Sequence, residues 1–274
     1  MPKLEDNKIN KQILLDEVVA KLKHFSQLYG INSLFIVGGY CRSLYVNRLW
    51  EVNDIDVASA YASQSLELAG LFASEVLNVS PEFYERTGTA MVLYKSDLGQ
   101  IKVEFQGQSP NAYMYNQEVR DWLHQHAIED IPIMHNIYGR DFTINTMIYS
   151  LYNEHLYDLT DRAVQDFERK KIISLLPARL LIKYNPLAVL RAIRFSLTYD
   201  FKIDSELQDH IRNCYDQLVD TLSQDRILKE IVRILKIDGP DGLKLLKRFH
   251  MDKILLNPKI KEYVQLDADS DTYK

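Results

Sequence analysis

The chain has only two cysteines, Cys41 and Cys214, in 274 residues. Two thiols supply neither a disulfide framework nor a zinc-ligand set. That scarcity points to a reducing, cytoplasmic setting. No apolar run approaches the ~18 residues that cross a bilayer, so no membrane partner is expected. Met1 to Asn10 is polar and lacks a secretory apolar region. There is no internal repeat and no low-complexity segment. A basic excess is also missing: Lys plus Arg is 33, Asp plus Glu is 38, and the net charge is −5. This argues against indiscriminate coating of nucleic acid and leaves room for a local basic groove. What is present is ordinary globular material, 46% hydrophobic and 26% charged, which excludes a disordered chain. The length allows one large domain or two small ones. Tyrosine is abundant, at 17 residues, and can stack bases or fill interfaces.

The first half mixes helix and strand signals. Lys8 to Tyr29 reads as an amphipathic helix with Leu14, Leu15, Val18, Leu22 and Phe25 on one side, stopped by Gly30. Ser33 to Val37 is a short apolar strand, Gly38-Gly39 a turn, and Tyr40 to Asn47 a helix. Asp54 to Ser59 is a second strand and Ser63 to Leu77 a helix. Ala90 to Tyr94 and Ile101 to Phe105 read as two strands joined through Ser96 to Gln100. The pattern is βαβ-like and then hairpin-like, so the class is α+β. After about Leu175 the strand signals stop. Pro186 to Tyr199, Ser205 to Cys214, Gln224 to Ile237 and Pro240 to His250 read as helices, with Asn185 as a cap ahead of Pro186. These readings divide the chain into an α+β head, residues 1–175, and an all-helical part, residues 176–274. Gln265 to Lys274 is polar and reads as a frayed end.

Chemistry-bearing residues fall in four places. Asp54 and Asp56 stand at i and i+2 on a strand, so both point to one face, where carboxylates can hold hard divalent cations. The same spacing also occurs in solvated surface pairs. Gly38-Gly39 ahead of a helix, with Arg42 one turn on, lets backbone N–H groups approach a phosphate. Glu104 lies in a strand able to pair beside the Asp54–Asp56 strand, and three convergent carboxylates call for a cation or protons. Asp141 and Asn145 share a face if Gly139 to Asn145 is helical. Arg191 and Arg194 share a face of the helix after Pro186 and can grip phosphates or serve as surface charge.

The order of these stretches resembles the class II tRNA nucleotidyltransferase and bacterial poly(A) polymerase family. Matching segments are Phe35 to Arg42, Asp54 to Asp56, Thr87-Gly88-Thr89, Val103-Glu104, Arg140 to Asn145, Tyr157 to Asp166, Pro186 to Phe195 and Ser223 to Leu235. Together they cover roughly residues 30–250. The resemblance implies a nucleotidyltransferase head with a small mixed sheet and flanking helices, then a helical neck and shortened body. It implies addition of nucleotides from NTPs such as ATP and CTP to an RNA 3′ end, tRNA above all. Asp54 and Asp56 would hold two magnesium ions, and Glu104 would be the third catalytic acid. Gly38, Gly39 and Arg42 would cradle phosphates. Arg140, Asp141 and Asn145 would contact the sugar and orient the nucleotide, with Arg191 and Arg194 also on the nucleotide-binding side.

Some positions depart from the family pattern. Its Glu-Asp-x-x-Arg base template reads Tyr184, Asn185 and Ala188 here, which leaves the nucleotide added open. Ser43 replaces the usual aspartate, Gly139 the first arginine of Arg-Arg-Asp, and Asp161-Arg162 a usual glycine. Phe105-Gln106-Gly107-Gln108 lacks the arginine that normally follows the strand acid. Ser109 to Ile133 is rich in tyrosine and histidine and matches no motif. His124, His126 and His135 lack zinc-ligand spacing. Family members are commonly much longer. Arg226, Lys229, Arg233 and Lys236 form a basic helical stripe opposite Ile227, Ile231 and Ile234, suited to RNA backbone or to solvent. Two other readings stay open. One is a catalytically silent RNA-binding homologue. The other is a transferase acting on a different acceptor. Oligomeric state is not legible.

Overall fold

The computed structural model describes residues 2–61, 64–84, 88–106, 114 and 116–258. Thr87, Gly107-Gln108, the residues 109–113 and 115 of the tyrosine-rich stretch, and the expected frayed end Gln265 to Lys274 lie outside the described residues. The chain forms two compact units. Unit 1 is Met1–Arg140 with Ile144–Ala163, and unit 2 is Asp141–Thr143 with Val164–Lys274. Among the described residues no helix is long and apolar enough to cross a membrane.

Unit 1 begins with helix α1 (Pro2–Leu28), longer than the sequence pattern suggested. Its Leu14, Leu15, Val18, Leu22 and Phe25 are all buried, as their helical spacing requires. Each contributes about 1.5–3 kcal/mol over exposure. Gly30 ends the turn with a φ of 65°, a conformation glycine adopts without strain. Strand β1 (Leu34–Val37) leads through α2 (Gly39–Tyr45) to β2 (Asp54–Ser59). Helix α3 (Ser65–Leu71) runs on as a π-helical segment, Phe72–Leu77. Then come β3 (Glu82–Tyr84), β4 (Thr89–Ser96), β5 (Gly99–Gln106), α4 (Gln117–Gln125), α5 (Pro132–Tyr138), β6 (Ile148–Ser150) and β7 (Leu156–Tyr157).

The seven strands form one mixed sheet in the order β3-β4-β5-β2-β1-β6-β7. The βαβ-like start is antiparallel, since β1 pairs Val37 with Asp56 of β2 in that sense. The parallel pair is β2 with β5, where Asp56 is opposite Glu104. In β5 the side chains alternate: Ile101, Val103 and Phe105 are buried in the core, while Lys102 and Glu104 turn to the opposite face. Phe105 meets Phe72 at 5.8 Å between ring centroids, and Phe72 meets Phe25 at 5.5 Å. The apolar face of the sheet is thus covered by α1 and the α3 region, leaving the acidic face outward.

Unit 2 contains α6 (Ala163–Glu168), β8 (Lys171–Ile172), α7 (Ala178–Tyr184), α8 (Ala188–Tyr199), β9 (Lys202–Ile203), α9 (Ser205–Arg212), α10 (Tyr215–Thr221), α11 (Gln224–Ile237) and α12 (Gly239–Arg248). It is not wholly helical, because β8 and β9 form a short parallel pair. The boundary read near residue 175 lies inside this unit. Asp141–Thr143 is tied there by Thr143 N donating to Ile173 O at 3.0 Å and Thr143 Oγ1 donating to Asp166 Oδ2 at 2.7 Å. Asn185 does not cap α8. Its N–H donates to Leu181 O at 2.7 Å, closing α7, and Pro186 has no N–H with which to continue that helix. Helix α8 begins after Leu187, with no side-chain cap.

Glu230 of α11 is 2% exposed and accepts from Arg194 Nε of α8 and, at 3.1 Å, from Arg233 Nη1. A buried carboxylate needs such partners, and removing it strands the Arg194 cation. Glu230→Ala is expected to cost about 3–5 kcal/mol in thermal or urea unfolding. A cost below about 1 kcal/mol would class the pair with weak surface bridges.

Candidate active site

The acidic face is built by strand register. Asp54 and Asp56 alternate with buried Ile55 and Val57, so both carboxylates leave the core on the same side of β2. Parallel pairing sets Glu104 beside Asp56 and Lys102 beside Asp54. Burial, the largest influence, raises the Asp56 pKa above its ordinary value. Arg140 opposes that rise and Asp54 adds to it. The Glu104 pKa is raised as well, by burial first and then by Asp56 and Asp54. The aspartates and the glutamate therefore share one electrostatic neighbourhood.

Gly38 joins β1 to α2 at φ 71°, ψ −124°. A Cβ on it would lie 2.7 Å from Arg140 Nη1 and 2.9 Å from Asp56 Oδ2. Glycine is thus required twice, for its backbone conformation and for the space between a cation and an anion. Gly39 is different, since the nearest atom to its Cβ would be Arg42 Nη2 at 3.9 Å. Arg42 Nη1 donates to Asn145 Oδ1, which brings two of the expected residues together. Arg140 Nη2 donates to Asn136 Oδ1 at 2.9 Å and to Gln106 Oε1 at 3.3 Å. Lys11 Nζ of α1 donates to Asn53 Oδ1, immediately before Asp54. Burial lowers the Lys11 pKa, against the pull of Asp54 and Glu51.

Other expected residues are placed differently. Residues 141–145 are not an α-helix, so Asp141 and Asn145 do not share a helical face. Only Thr143–Asn145 is helical, as a 3-10 turn. Asp141 is buried at 4% exposure, and its two carboxylate oxygens accept from Phe142 N at 2.9 Å and from Arg191 Nε. Arg194 is committed to Glu230. Tyr184 and Asn185 sit at the end of α7, with Lys183 Nζ 5.0 Å from the Tyr184 ring centroid. On α11, Arg226, Lys229, Arg233 and Lys236 are exposed, and Ile227, Ile231 and Ile234 are buried, as the helical period requires. Lys229 pairs with Asp225 at 2.8 Å and Arg233 with Glu230. The sequence reading missed Gln106, Asn136, Glu230 and Lys11. For Asn136 a signal existed: an amide four residues before Arg140, close enough along the chain to bond it.

Among the described residues, no three His, Cys, Asp or Glu side chains converge closely enough to hold a metal ion by themselves. The donor chemistry still fits a hard cation. Magnesium typically takes one or two protein carboxylates, with its other ligands from water and substrate phosphates. Asp54 and Asp56 are such a pair.

The fold and face define a mixed α+β scaffold with an acidic pair beside a glycine turn. The sequence profile described as "Poly A polymerase head domain" matches residues 34–173, and the chain belongs to that family. It is 30% identical over 240 residues to the A-adding tRNA nucleotidyltransferase of Geobacter sulfurreducens, covering 81% of this chain and 24% of that protein. It is 32% identical over 119 residues to the mitochondrial CCA tRNA nucleotidyltransferase of Candida glabrata, covering 42% of this chain and 22% of that one. The chain thus spans about a quarter of the length of these relatives. The structure of the Thermotoga maritima CCA-adding enzyme complexed with tRNA superposes with a TM-score of 0.67 at 22% identity, over 87% of this chain and 52% of that one. This likeness shows the shared fold.

Gly38→Ala is expected to lose about 1–3 kcal/mol of stability through positive-φ strain, while Gly39→Ala, in a helix where its Cβ would make only ordinary contact, stays within about 0.5 kcal/mol of the parent. Paired melting curves measure both. Glu104 gives a pH prediction. Its raised pKa means the folded state holds a proton more tightly than the unfolded one, so its stabilising contribution falls as pH rises above the ordinary value of 4.5. In buffer free of divalent cations, Glu104→Gln should therefore melt higher than the parent at neutral pH. The gap should close as pH falls towards that ordinary value. A gap that is absent or widens on acidification removes this account.

Proposed function

We propose that this protein is a nucleotidyltransferase that adds nucleotides from NTPs to the 3′ end of an RNA, with tRNA as the acceptor class. The observation that carries the reading is the strand register that sets Asp56 beside Glu104, with Asp54 on the same face and the Gly38 turn at its edge. Support also comes from family membership and from relatives named A-adding and CCA tRNA nucleotidyltransferases.

In the proposed reaction the RNA 3′-oxygen bonds to the α-phosphorus, the bond to the bridging oxygen breaks, and pyrophosphate leaves. The hydroxyl proton departs to a carboxylate of the acidic face. Asp54 and Asp56 would hold magnesium, which when bound would supply Lewis-acid stabilisation of the phosphoryl charge and lower the pKa of the hydroxyl. Gly38 lets Arg140 and Asp56 approach the turn, where a side chain would collide with both. Arg42 and Arg140 offset the triphosphate charge, and Asn145 fixes the Arg42 guanidinium. Rate enhancement then comes chiefly from positioning and electrostatic stabilisation. In unit 2, Tyr184 and Asn185 are the base-facing pair carried over from the resemblance. An aromatic and an amide replace two acids there, and Ala188 replaces the arginine, so the nucleotide preference is expected to be less strict than a charged template gives. The exposed Arg226, Lys229, Arg233 and Lys236 are the proposed RNA-backbone contacts.

The test is incorporation of each labelled NTP, one at a time, onto tRNA ending at the discriminator base, at C, at CC and at CCA. The expected result is magnesium-dependent labelling of RNA that falls at least ~10³-fold in Asp54→Ala plus Asp56→Ala. Label in a protein fraction instead would move the activity to another acceptor. RNA binding with no transfer to any acceptor would make the chain a silent homologue.

A further inference from the structure

Unit 2 carries a groove of its own, about 1220 Å³ in volume. Strands β8 and β9 and the residues flanking them supply Arg169, Lys170, Lys171 and Lys202. Helix α12 supplies Lys244 and Arg248, whose i, i+4 spacing sets them on one face. All of these cations are exposed. Buried Phe201 and Phe249 also line the groove, and the Arg248 guanidinium is 5.6 Å from the Phe249 ring centroid. The volume exceeds the ~300–1,000 Å³ of a small-molecule pocket, so the groove suits a polymer better than a lone anion.

Its charges are not arranged for stability. Parallel pairing sets Lys171 directly across from Lys202, and like charges opposite each other in a sheet are destabilising. Asp204 offsets them in part, with Oδ1 3.6 Å from Lys171 Nζ, while its Oδ2 accepts from Glu206 N at 3.2 Å and caps α9. Asp238 is used in a similar way, accepting from Asp241 N at 2.9 Å to cap α12. Asp200 and Asp241 are the other acids of the groove, so cations outnumber carboxylates there in a chain of net charge −5. Among the described residues, the side chains of Arg169, Lys170, Lys202 and Lys244 make no hydrogen bond or ion pair.

We infer that this groove binds the phosphodiester backbone of the RNA substrate, with Lys202 and Lys244 as principal contacts. The inference rests on the transferase reading and adds a surface that adjoins the α11 stripe: Ile237, the residue after Lys236 and the last of α11, lines the groove. Flexible ammonium groups suit a backbone, which asks for charge and not for fixed geometry. A polyanion would relieve the repulsion between Lys171 and Lys202. Removing one of those lysines is therefore expected to weaken RNA binding without loss of stability, an opposition that a merely structural lysine would not give.

The experiment follows the anisotropy of a labelled hairpin RNA with the full chain over a range of salt, alongside melting curves. Lys202→Gln plus Lys244→Gln is compared with Lys21→Gln plus Lys95→Gln, which removes the same charge from unit 1. The groove pair is expected to bind RNA at least ~10-fold more weakly than the parent, with a log–log salt slope shallower by about 2, and to melt no lower. The unit 1 pair is expected to stay within about 2-fold of the parent. If the groove pair melts lower, Lys202→Gln alone decides, with about half that change in slope. Equal losses in the two pairs, or no loss in the groove pair while the parent binds, overturn the inference and leave the transferase reading standing. So does displacement of the RNA by inorganic phosphate at equal phosphate concentration, which would make this a small-anion site, or by polyglutamate at equal charge, which would make it a face for an acidic protein. A parent that neither binds RNA nor labels it overturns both.

Discussion

Asp56 stands beside Glu104 because β2 and β5 run parallel in the interior of the sheet, and every other part of the site is placed with respect to that pairing. A parallel pair needs a long crossover, and here it is filled by α3, its π-helical extension and two further strands. That crossover covers the apolar face, since Phe72 within it packs on Phe105. A slip of one residue in β5 would turn Glu104 into the core and Phe105 out of it, so hydrophobic burial itself enforces the acidic register.

The acidic face is answered by cations from separate parts of unit 1: Arg42 from α2, Arg140 after α5 and Lys11 from α1. Each is steadied through an amide, by Asn145, Asn136 with Gln106, and Asn53 respectively. In unit 2 two arginines are held by buried acids. There Arg191 meets Asp141 and Arg194 meets Glu230. Arginines that look alike along the sequence thus differ in what holds them: amides bond Arg42 and Arg140, and buried acids bond Arg191 and Arg194.

Much of this was legible from local pattern. The buried face of α1, the Asp54–Ser59 strand, the β4–β5 hairpin and the α11 stripe all follow from period and turn chemistry, because each is fixed by neighbours close in sequence. What escaped depends on distant partners. Nothing near Arg194 announces Glu230, and nothing near Asp141 announces Arg191. Strands β8 and β9 have two residues each, too short to carry a period. Asn185-Pro186 has the composition of a helix start, yet the preceding helix claims Asn185 for its own end. The two-carboxylate motif could be read from residues alone, whereas the Gln106–Asn136 link between its anion and its cation could not.

The chain leaves unit 1 after Arg140, lends Asp141–Thr143 to unit 2, and returns at Ile144. No single cut therefore separates the two. A fragment starting at residue 164 would lose the carboxylate that holds Arg191 and the Phe142 ring that packs on Phe195. During synthesis those three residues emerge before any of the later segment they join exists. Unit 2 accordingly closes over a stretch made earlier, a non-local step of the kind that slows folding. Modular exchange of either unit among relatives would have to carry this loan with it.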